Sequence, residues 1–251
     1  MILTLFLFFI FGSPQAVHKY DLPAGAKVIE TRPLRSKSHP NRALILWMIS
    51  PKRNPREPAD EIYTCPEYTR GHFYSGTTHV SLIDLKTNKI INTINIEGDT
   101  ISAKGGSSDQ GSFDVPYKIA RGYYYQVVKS NAKEAKPIIL ALKDFNGDGK
   151  AYEFVLYEAE GCMGLETALI GYSEKQDKVI QYKTVLTTKN KKETKTETLG
   201  WVDYLFSKQA IKNGVWKYEI DYRGRNGTLD QYNIRYNAKR ERFEGTLTFK
   251  E

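Results

Sequence analysis

Short apolar runs alternate with polar segments along this chain, and the runs follow the spacing of strands. In most of them, apolar residues occupy every second position or continue without interruption, and both patterns are typical of β-strands. The run Ala-Leu-Ile-Leu-Trp-Met-Ile at 43–49 predicts a strand that is buried on both faces. No segment longer than about ten residues keeps the 3.6-residue period of a helix. The pattern therefore predicts an all-β fold.

Two hairpins are predicted from the same order of residue types. In residues 77–96, and again in residues 168–182, a Leu-Ile pair leads into a polar turn, and a lysine and two aliphatic residues follow it. The turns contain Asn88 and Asp177, whose side chains tolerate the positive φ of a tight turn. A closing antiparallel meander is predicted from three further segments, at 215–220, 229–236 and 243–249.

The first of these hairpins resembles the outer strand pair of β-propeller blades. Residues 80–94 match the blade pattern Val-Ser-x-Ile-Asp-x-x-Thr-Asn-Lys-x-x-x-Thr-Ile. The resemblance implies a propeller-like arrangement of antiparallel hairpins, and a β-sandwich is the alternative. Residues 184–198 are rich in Lys, Thr and Glu and predict a long exposed hairpin or loop. Residues 201–210 admit a short helix as well as a strand.

The N-terminal segment has the layout of a signal peptide. Residues 1–11 are apolar but too short to span a bilayer, and small residues follow up to Ala16. One feature departs from the usual layout, since no Lys or Arg precedes the apolar stretch. We therefore expect a signal peptide at 1–16, a single exported domain at 17–251, and a secreted or periplasmic location. No later run is long enough to predict a membrane span.

Composition and charge narrow the choice of partners. The net charge is +8, from 37 Lys and Arg against 29 Asp and Glu. The basic residues are scattered, apart from a cluster at 189–195, and no motif that reads a nucleic-acid groove is present. The sequence therefore predicts no specific nucleic-acid partner, and a glycan or an extracytoplasmic protein remains the candidate. The 17 tyrosines add to the β prediction because tyrosine favours strands.

The clearest chemical motif is an acidic loop, Asp-Phe-Asn-Gly-Asp-Gly-Lys-Ala-Tyr-Glu at 144–153. Oxygen-bearing side chains occupy its first, third and fifth positions, and a glycine that permits a sharp turn occupies the sixth. Calcium takes six to eight oxygen ligands, so the sequence predicts a Ca²⁺ site, with a metal-free turn as the alternative. The proposed ligands are Asp144, Asn146, Asp148, the Lys150 carbonyl and Glu153.

This loop resembles the strand–loop–strand calcium loops of FG-GAP and VCBS-type repeats, which read Asp-x-Asn-x-Asp-Gly followed by an acidic residue. The family implies a β-propeller with a structural ion. Here Glu153 stands one place later than the usual ninth position, and the Phe-Gly…Gly-Ala-Pro signature of the repeats is missing. An EF-hand is excluded because Val155 occupies its twelfth position and strands are predicted on both sides.

The sequence favours a binding or structural role without catalysis. It contains no Gly-x-Ser-x-Gly elbow, Walker loop or dinucleotide fingerprint. The alternative is a secreted hydrolase that uses a cluster of ionisable residues near the Gly/Ser-rich segment at 97–111. Its candidate residues are Glu67, His72, His79 and Asp84.

Cys65 and Cys162 are the two cysteines of the chain, and we expect them to form a disulfide in an exported protein. The alternative is a pair of separate buried thiols. A bridge that closes a loop of about 100 residues contributes about 4–5 kcal/mol in the chain-entropy model. Thiol titration of denatured, unreduced protein should therefore find no free thiol, and titration after reduction should find two. Two free thiols before reduction would show that the bridge is absent.

Overall fold

The computed structural model describes residues 20–54, 69–96, 115–119, 139–158, 166–190, 193–199, 208–225 and 227–250. The predicted signal peptide, Glu67 and both cysteines lie outside these residues, and the side chain of His72 also lies outside the description. In the described part of the chain, no helix is long and apolar enough to cross a bilayer. The disulfide and the export signal therefore remain predictions.

Thirteen strands form within the described residues. In chain order β1 to β13 they are Ala26–Pro33, Arg42–Asn54, Thr69–Asp84, Lys89–Asn95, Val115–Ile119, Glu153–Glu158, Glu166–Ser173, Lys178–Tyr182, Thr184–Lys189, Thr194–Leu199, Val215–Asp221, Leu229–Asn237 and Arg242–Lys250. A 3-10 turn, Arg223–Arg225, lies between β11 and β12. The prediction of an all-β fold is confirmed.

The strands pair into three sheets. The first sheet has the order β1-β2-β3-β4, with β5 paired to the beginning of β3. The central sheet is β6-β7-β8, and the third sheet has the order β10-β9-β13-β12-β11. All pairs are antiparallel except β9 and β13, which run parallel. None of the sheets formed by the described strands closes into a barrel or a propeller.

The central sheet buries both of its faces. Because successive side chains of a strand point to opposite sides, Phe154 and Ile170 join one hydrophobic cluster while their neighbours Val155 and Leu169 join another. The first cluster also contains Leu44, Leu46, Met48, Val80 and Leu82 of the first sheet. The second contains Trp216, Ile234 and Phe243 of the third sheet. The three sheets are therefore packed as layers, with the smallest in the middle.

Strand β2 is buried on both faces, as its unbroken apolar run predicts. Alternate residues face the central sheet, while Ala43, Ile45 and Trp47 form a third cluster with Ile83 and Tyr20 on the outer side of the first sheet. Strand β1, which covers the edge of β2, was not expected from the sequence. Its sequence, Ala-Lys-Val-Ile-Glu-Thr-Arg-Pro, does not alternate regularly between apolar and polar types, and its residues are mostly half-buried.

Three hairpins share one turn conformation. The last residue of the first strand, which is Asp84, Ser173 or Asn237, accepts backbone N–H bonds from the turn that follows it. The fourth turn residue has a positive φ in each case: Asn88 57°, Asp177 49° and Glu241 48°. The sequence predicted the first two turns from their similarity. The third, between β12 and β13, has the same geometry with different residues.

Side-chain bonds join these three turns into a row. The Arg42 guanidinium lies 2.6 Å from Asp84 in the first turn and makes a bidentate bond, at 2.9 and 2.6 Å, to Asp177 in the second. Ser173 of the second turn donates to Glu241 of the third. Hydrogen bonding to Arg42 holds the pKa of Asp177 below its usual value. The turns thus tie the layers together at one end of the protein.

Replacing Arg42 with methionine should destabilise the protein by about 1–3 kcal/mol, because it leaves two half-buried carboxylates without a charged donor. Methionine keeps the apolar stem of the side chain, so the change tests the charge. Arg240, which is 60% exposed in its pair with Glu244, is the matched control, and Arg240→Met should cost no more than about 0.5 kcal/mol. Urea denaturation measures both effects. Equal losses of stability in the two variants would show that the Arg42 bonds contribute no more than an exposed ion pair.

Candidate functional site

The acidic loop folds into consecutive side-chain-capped turns. Asp144 accepts the backbone N–H groups of Gly147 and Gly149 at 2.7 and 3.0 Å. Asn146 and Asp148 each accept the N–H group two residues further along, at 2.8 and 2.9 Å. Both glycines have a positive φ, of 82° and 84°, which residues with a Cβ rarely adopt. The loop therefore curls tightly, as the sequence pattern predicts.

Glu153 holds the loop in place through hydrogen bonds. It opens strand β6, is fully buried, and accepts from the backbone N–H groups of Phe145 and Asn146 at 2.9 and 3.4 Å. Its second oxygen accepts from the Asn146 side-chain amide at 3.1 Å. Burial, with a smaller contribution from the nearby charge of Asp148, raises the pKa of Glu153 to about 8. Both carboxylate oxygens are therefore bonded to the loop itself.

A glycine on the neighbouring strand makes room for this carboxylate. Gly171 pairs with Glu153 across β6 and β7, and a Cβ placed on Gly171 would lie 2.8 Å from the Glu153 side chain. Glycine inside a strand usually marks such a close approach. A side chain at position 171 would displace Glu153 and with it the base of the loop.

The loop also rests against the turn that precedes β11. A Cβ on Gly147 would lie 2.4 Å from the carbonyl oxygen of Asn213, and a Cβ on Gly214 would lie 2.2 Å from that of Asn146. The Gly214 N–H group donates to the Phe145 carbonyl at 3.0 Å. Backbone approaches this close require glycine on both sides. The acidic loop is thus fixed between the central and third sheets.

The donor atoms of the loop fit a hard cation in type. Asp144, Asn146 and Asp148 supply side-chain oxygens, and a carboxylate that accepts one N–H bond keeps lone pairs for an ion. The Lys150 carbonyl already accepts from the Tyr152 N–H group at 3.1 Å. Across the described residues, no three His, Cys, Asp or Glu side chains are arranged as a metal cluster. Calcium would therefore require the loop side chains to turn towards the ion.

A second polar cluster, centred on Glu174, adjoins the loop. The Glu174 carboxylate accepts from the hydroxyl groups of Ser36 and Ser38 and from the Lys150 ammonium, at 2.5, 2.8 and 2.5 Å. The Tyr152 hydroxyl lies 3.3 Å from both Glu174 and the Arg35 carbonyl. The bond to Lys150, followed by that to Ser36, lowers the pKa of Glu174 to about 2. The cluster joins the acidic loop to the second turn and to residues 35–38.

A cleft of about 1140 Å³ opens beside this cluster. Its charged lining residues are Arg32, Arg35, Lys37, Asp148, Lys150 and Glu174. Its apolar lining comes mainly from residues 140–142, with Pro33 and Ala151. The cleft therefore has the size of a ligand site and an excess of positive side chains. The sequence pattern predicted the acidic loop on one side of the cleft. It did not indicate the basic residues on the other side, because residues 32–38 contain no recognisable motif.

The residues of the alternative hydrolase site do not assemble among the described residues. His79 and Asp84 lie on the same strand, five residues apart, so they point to opposite faces and are separated by about 16 Å. The ring of His79 stacks on Trp47 with centroids 4.3 Å apart, and its Nδ1 lies 2.9 Å from Asn95. Asp84 is bound to Arg42. The side chains of His72 and Glu67 lie outside the description.

The structure also shows a polar network that the sequence did not reveal. The Tyr172 hydroxyl donates to Asp177 at 2.9 Å, and Nδ1 of His39 lies 2.8 Å from the same hydroxyl. Burial, with the bond to Asp177, raises the pKa of Tyr172. The network joins the row of turns because Arg42 also binds Asp177. Of the residues in this network, the sequence pattern had indicated only Asp177, as a turn residue.

Stability should depend on pH through His79. Burial lowers its pKa, and its Nε2 is buried with no hydrogen-bond partner among the described residues. The unfolded chain therefore takes up a proton at higher pH than the folded one, so stability is full above about pH 6.5 and falls as the pH drops below it. The free energy of unfolding should fall more steeply between about pH 7 and 5 in the natural protein than in His79→Gln. Parallel curves from urea denaturation would contradict this role.

Comparison of the chain with family models, curated proteins and solved structures found no match in any of the three.

Proposed function

We propose that the chain is a secreted or periplasmic β-domain with a binding or structural role, and that its acidic loop holds one Ca²⁺ ion. The observation that supports the ion most directly is the curled loop, in which Asp144, Asn146 and Asp148 fall within one turn around Gly149. Oxygen donors in this order suit a cation that accepts flexible, irregular coordination.

The ion would neutralise crowded negative charge at a junction between sheets. Asp144, Asp148 and the amide oxygen of Asn146 would supply the side-chain ligands, and Lys150 would supply its carbonyl. Glu153 would have to exchange its bond to the Phe145 N–H group for the ion. Since the loop lies between the central and third sheets, calcium would stabilise their contact.

For the fold we propose a propeller-like arrangement, with a layered β-sandwich as the alternative. The support is the row of three hairpin turns with one conformation, because equivalent turns of neighbouring blades lie side by side in propellers. The layering of the three sheets suits a sandwich equally well. No observation on the described residues favours the hydrolase, since His79 and Asp84 have separate partners.

Calcium should raise the melting temperature of protein that has been treated with a chelator. A ligand that binds only the folded state stabilises it by about 2.7 kcal/mol at a hundredfold excess over Kd. Magnesium should raise the melting temperature less, because it demands compact octahedral coordination and gives up water reluctantly. Differential scanning calorimetry measures both shifts, and isothermal titration calorimetry measures the binding.

Two loop variants and one control test the location of the ion. Asp144→Ala and Asp148→Ala should each abolish the calcium-dependent shift. Asp221→Ala removes an exposed carboxylate that pairs with Arg223 on a distant turn, so it should leave the shift unchanged. If calorimetry of the natural protein detects neither calcium binding nor a shift, the loop is a metal-free turn and the proposal of a calcium site is wrong.

A further inference from the structure

We infer that the cleft beside residues 32–38 binds an acidic oligosaccharide, that is, a saccharide chain bearing carboxylate or sulfate groups. The inference rests on the proposed binding role of the domain; it shares Asp148 with the proposed calcium site, so it is tested in the absence of calcium. It combines four observations on the cleft: cations without partners, a carboxylate open to hydroxyl groups, an apolar lining, and a firm attachment of the basic segment, residues 32–38.

Two cations of the basic segment, residues 32–38, have no acidic partner among the described residues. Arg35 and Lys37 are exposed and line the cleft, and no described acidic side chain forms an ion pair with either. The nearby Arg32 pairs with Glu30 through Nη2, while its Nε remains buried without a partner among the described residues. By contrast, Lys150 is paired with Glu174. An anionic ligand would supply the charge that Arg35 and Lys37 lack.

The same cleft contains an acceptor that suits a sugar hydroxyl group. Asp148 is exposed, and one of its oxygens accepts the Lys150 N–H group, which leaves the other available. Glu174 also lines the cleft, but it is already bonded to Ser36, Ser38 and Lys150. A ligand that carried only negative charge would be repelled by Asp148. An acidic saccharide carries both the anions that the cations require and a hydroxyl donor for the free oxygen of Asp148.

The apolar lining and the shape distinguish a glycan from other polyanions. Ala141, which is exposed, and Leu142, which is half-buried, offer a small apolar surface for the C–H face of a pyranose ring. Single-stranded nucleic acid needs exposed aromatic rings for base stacking, whereas Tyr152, the one aromatic residue among the described residues that line the cleft, is only 6% exposed. A concave cleft also fits a chain end or a short segment better than it fits the surface of a membrane.

The basic segment is held in place before any ligand binds. The Arg35 carbonyl lies 3.3 Å from the Tyr152 hydroxyl, and both Ser36 and Ser38 donate to Glu174. Ser36 also accepts the His39 N–H group at 3.0 Å. A site that is already ordered loses less entropy on binding. The attachment therefore fixes the backbone that carries Arg35 and Lys37.

Calorimetric titration of chelator-treated protein tests the inference without calcium. The probes are tetragalacturonate, a sulfated heparin tetrasaccharide and neutral maltotetraose. At least one acidic tetrasaccharide should bind, with an affinity that falls as salt is added, and maltotetraose should bind much more weakly. The double variant Arg35→Ala/Lys37→Ala should lose about tenfold or more in affinity, because it removes two charge-assisted contacts.

The matched control removes the same two residue types from another surface. Lys217 and Arg235 are both exposed on the third sheet, and Lys217→Ala/Arg235→Ala should keep the affinity within about twofold, since it changes only the long-range charge. Urea denaturation of both double variants verifies that they fold.

Four results would overturn the inference. They are no binding of either acidic saccharide, equal binding of maltotetraose, equal losses in the two double variants, and tighter binding of oligo-dT, octaglutamate or anionic vesicles that depends on Arg35 and Lys37. A failed calcium site would appear in the melting experiments and not in this titration, so the two proposals can fail separately.

Discussion

Burial of both faces of the central sheet is the constraint on which the rest of the molecule depends. A three-stranded sheet whose consecutive residues, such as Phe154 and Val155, are both apolar and almost fully buried cannot be stable with only one layer against it. Each large side chain moved out of water contributes about 1.5–3 kcal/mol. The first and third sheets must therefore lie on opposite sides, and the acidic loop, which leads into β6, must lie where the layers meet.

The candidate site is ordered because its residues are bonded to this core. Glu153 is at once the first residue of a buried strand and the acceptor for two loop N–H groups, and Gly171 provides the space that its side chain needs. On the other side, Gly147 and Gly214 allow the loop and the third sheet to approach at backbone distance. The polar loop is thereby bonded to both the central and the third sheet. The adjoining cleft gains one ordered side from it.

Local patterns predicted the parts of the structure that depend on local contacts. The apolar run at 43–49, the two similar hairpins and the closing meander all appear, because alternation and turn residues act within a few positions. Strand β1 was not predicted, because its half-buried residues give only a weak alternation of apolar and polar positions. The parallel pairing of β9 with β13, the Arg42 bridges and the basic side of the cleft join residues distant in sequence, and no local pattern encodes such contacts. The loop was found because its ligand-like spacing lies within ten residues.

The place of β13 in the third sheet has a consequence for biogenesis. Residues 242–250 form the middle strand of that sheet, between β9 and β12, so the β9–β10 and β11–β12 hairpins lack the strand that joins them until this segment is available. A chain that emerges from a ribosome can form the hairpins of the first and central sheets while its synthesis continues. The third sheet can form in full only after β13 has emerged. During that interval the edges of β9 and β12 are open, and a general chaperone that binds extended segments would find its substrate there.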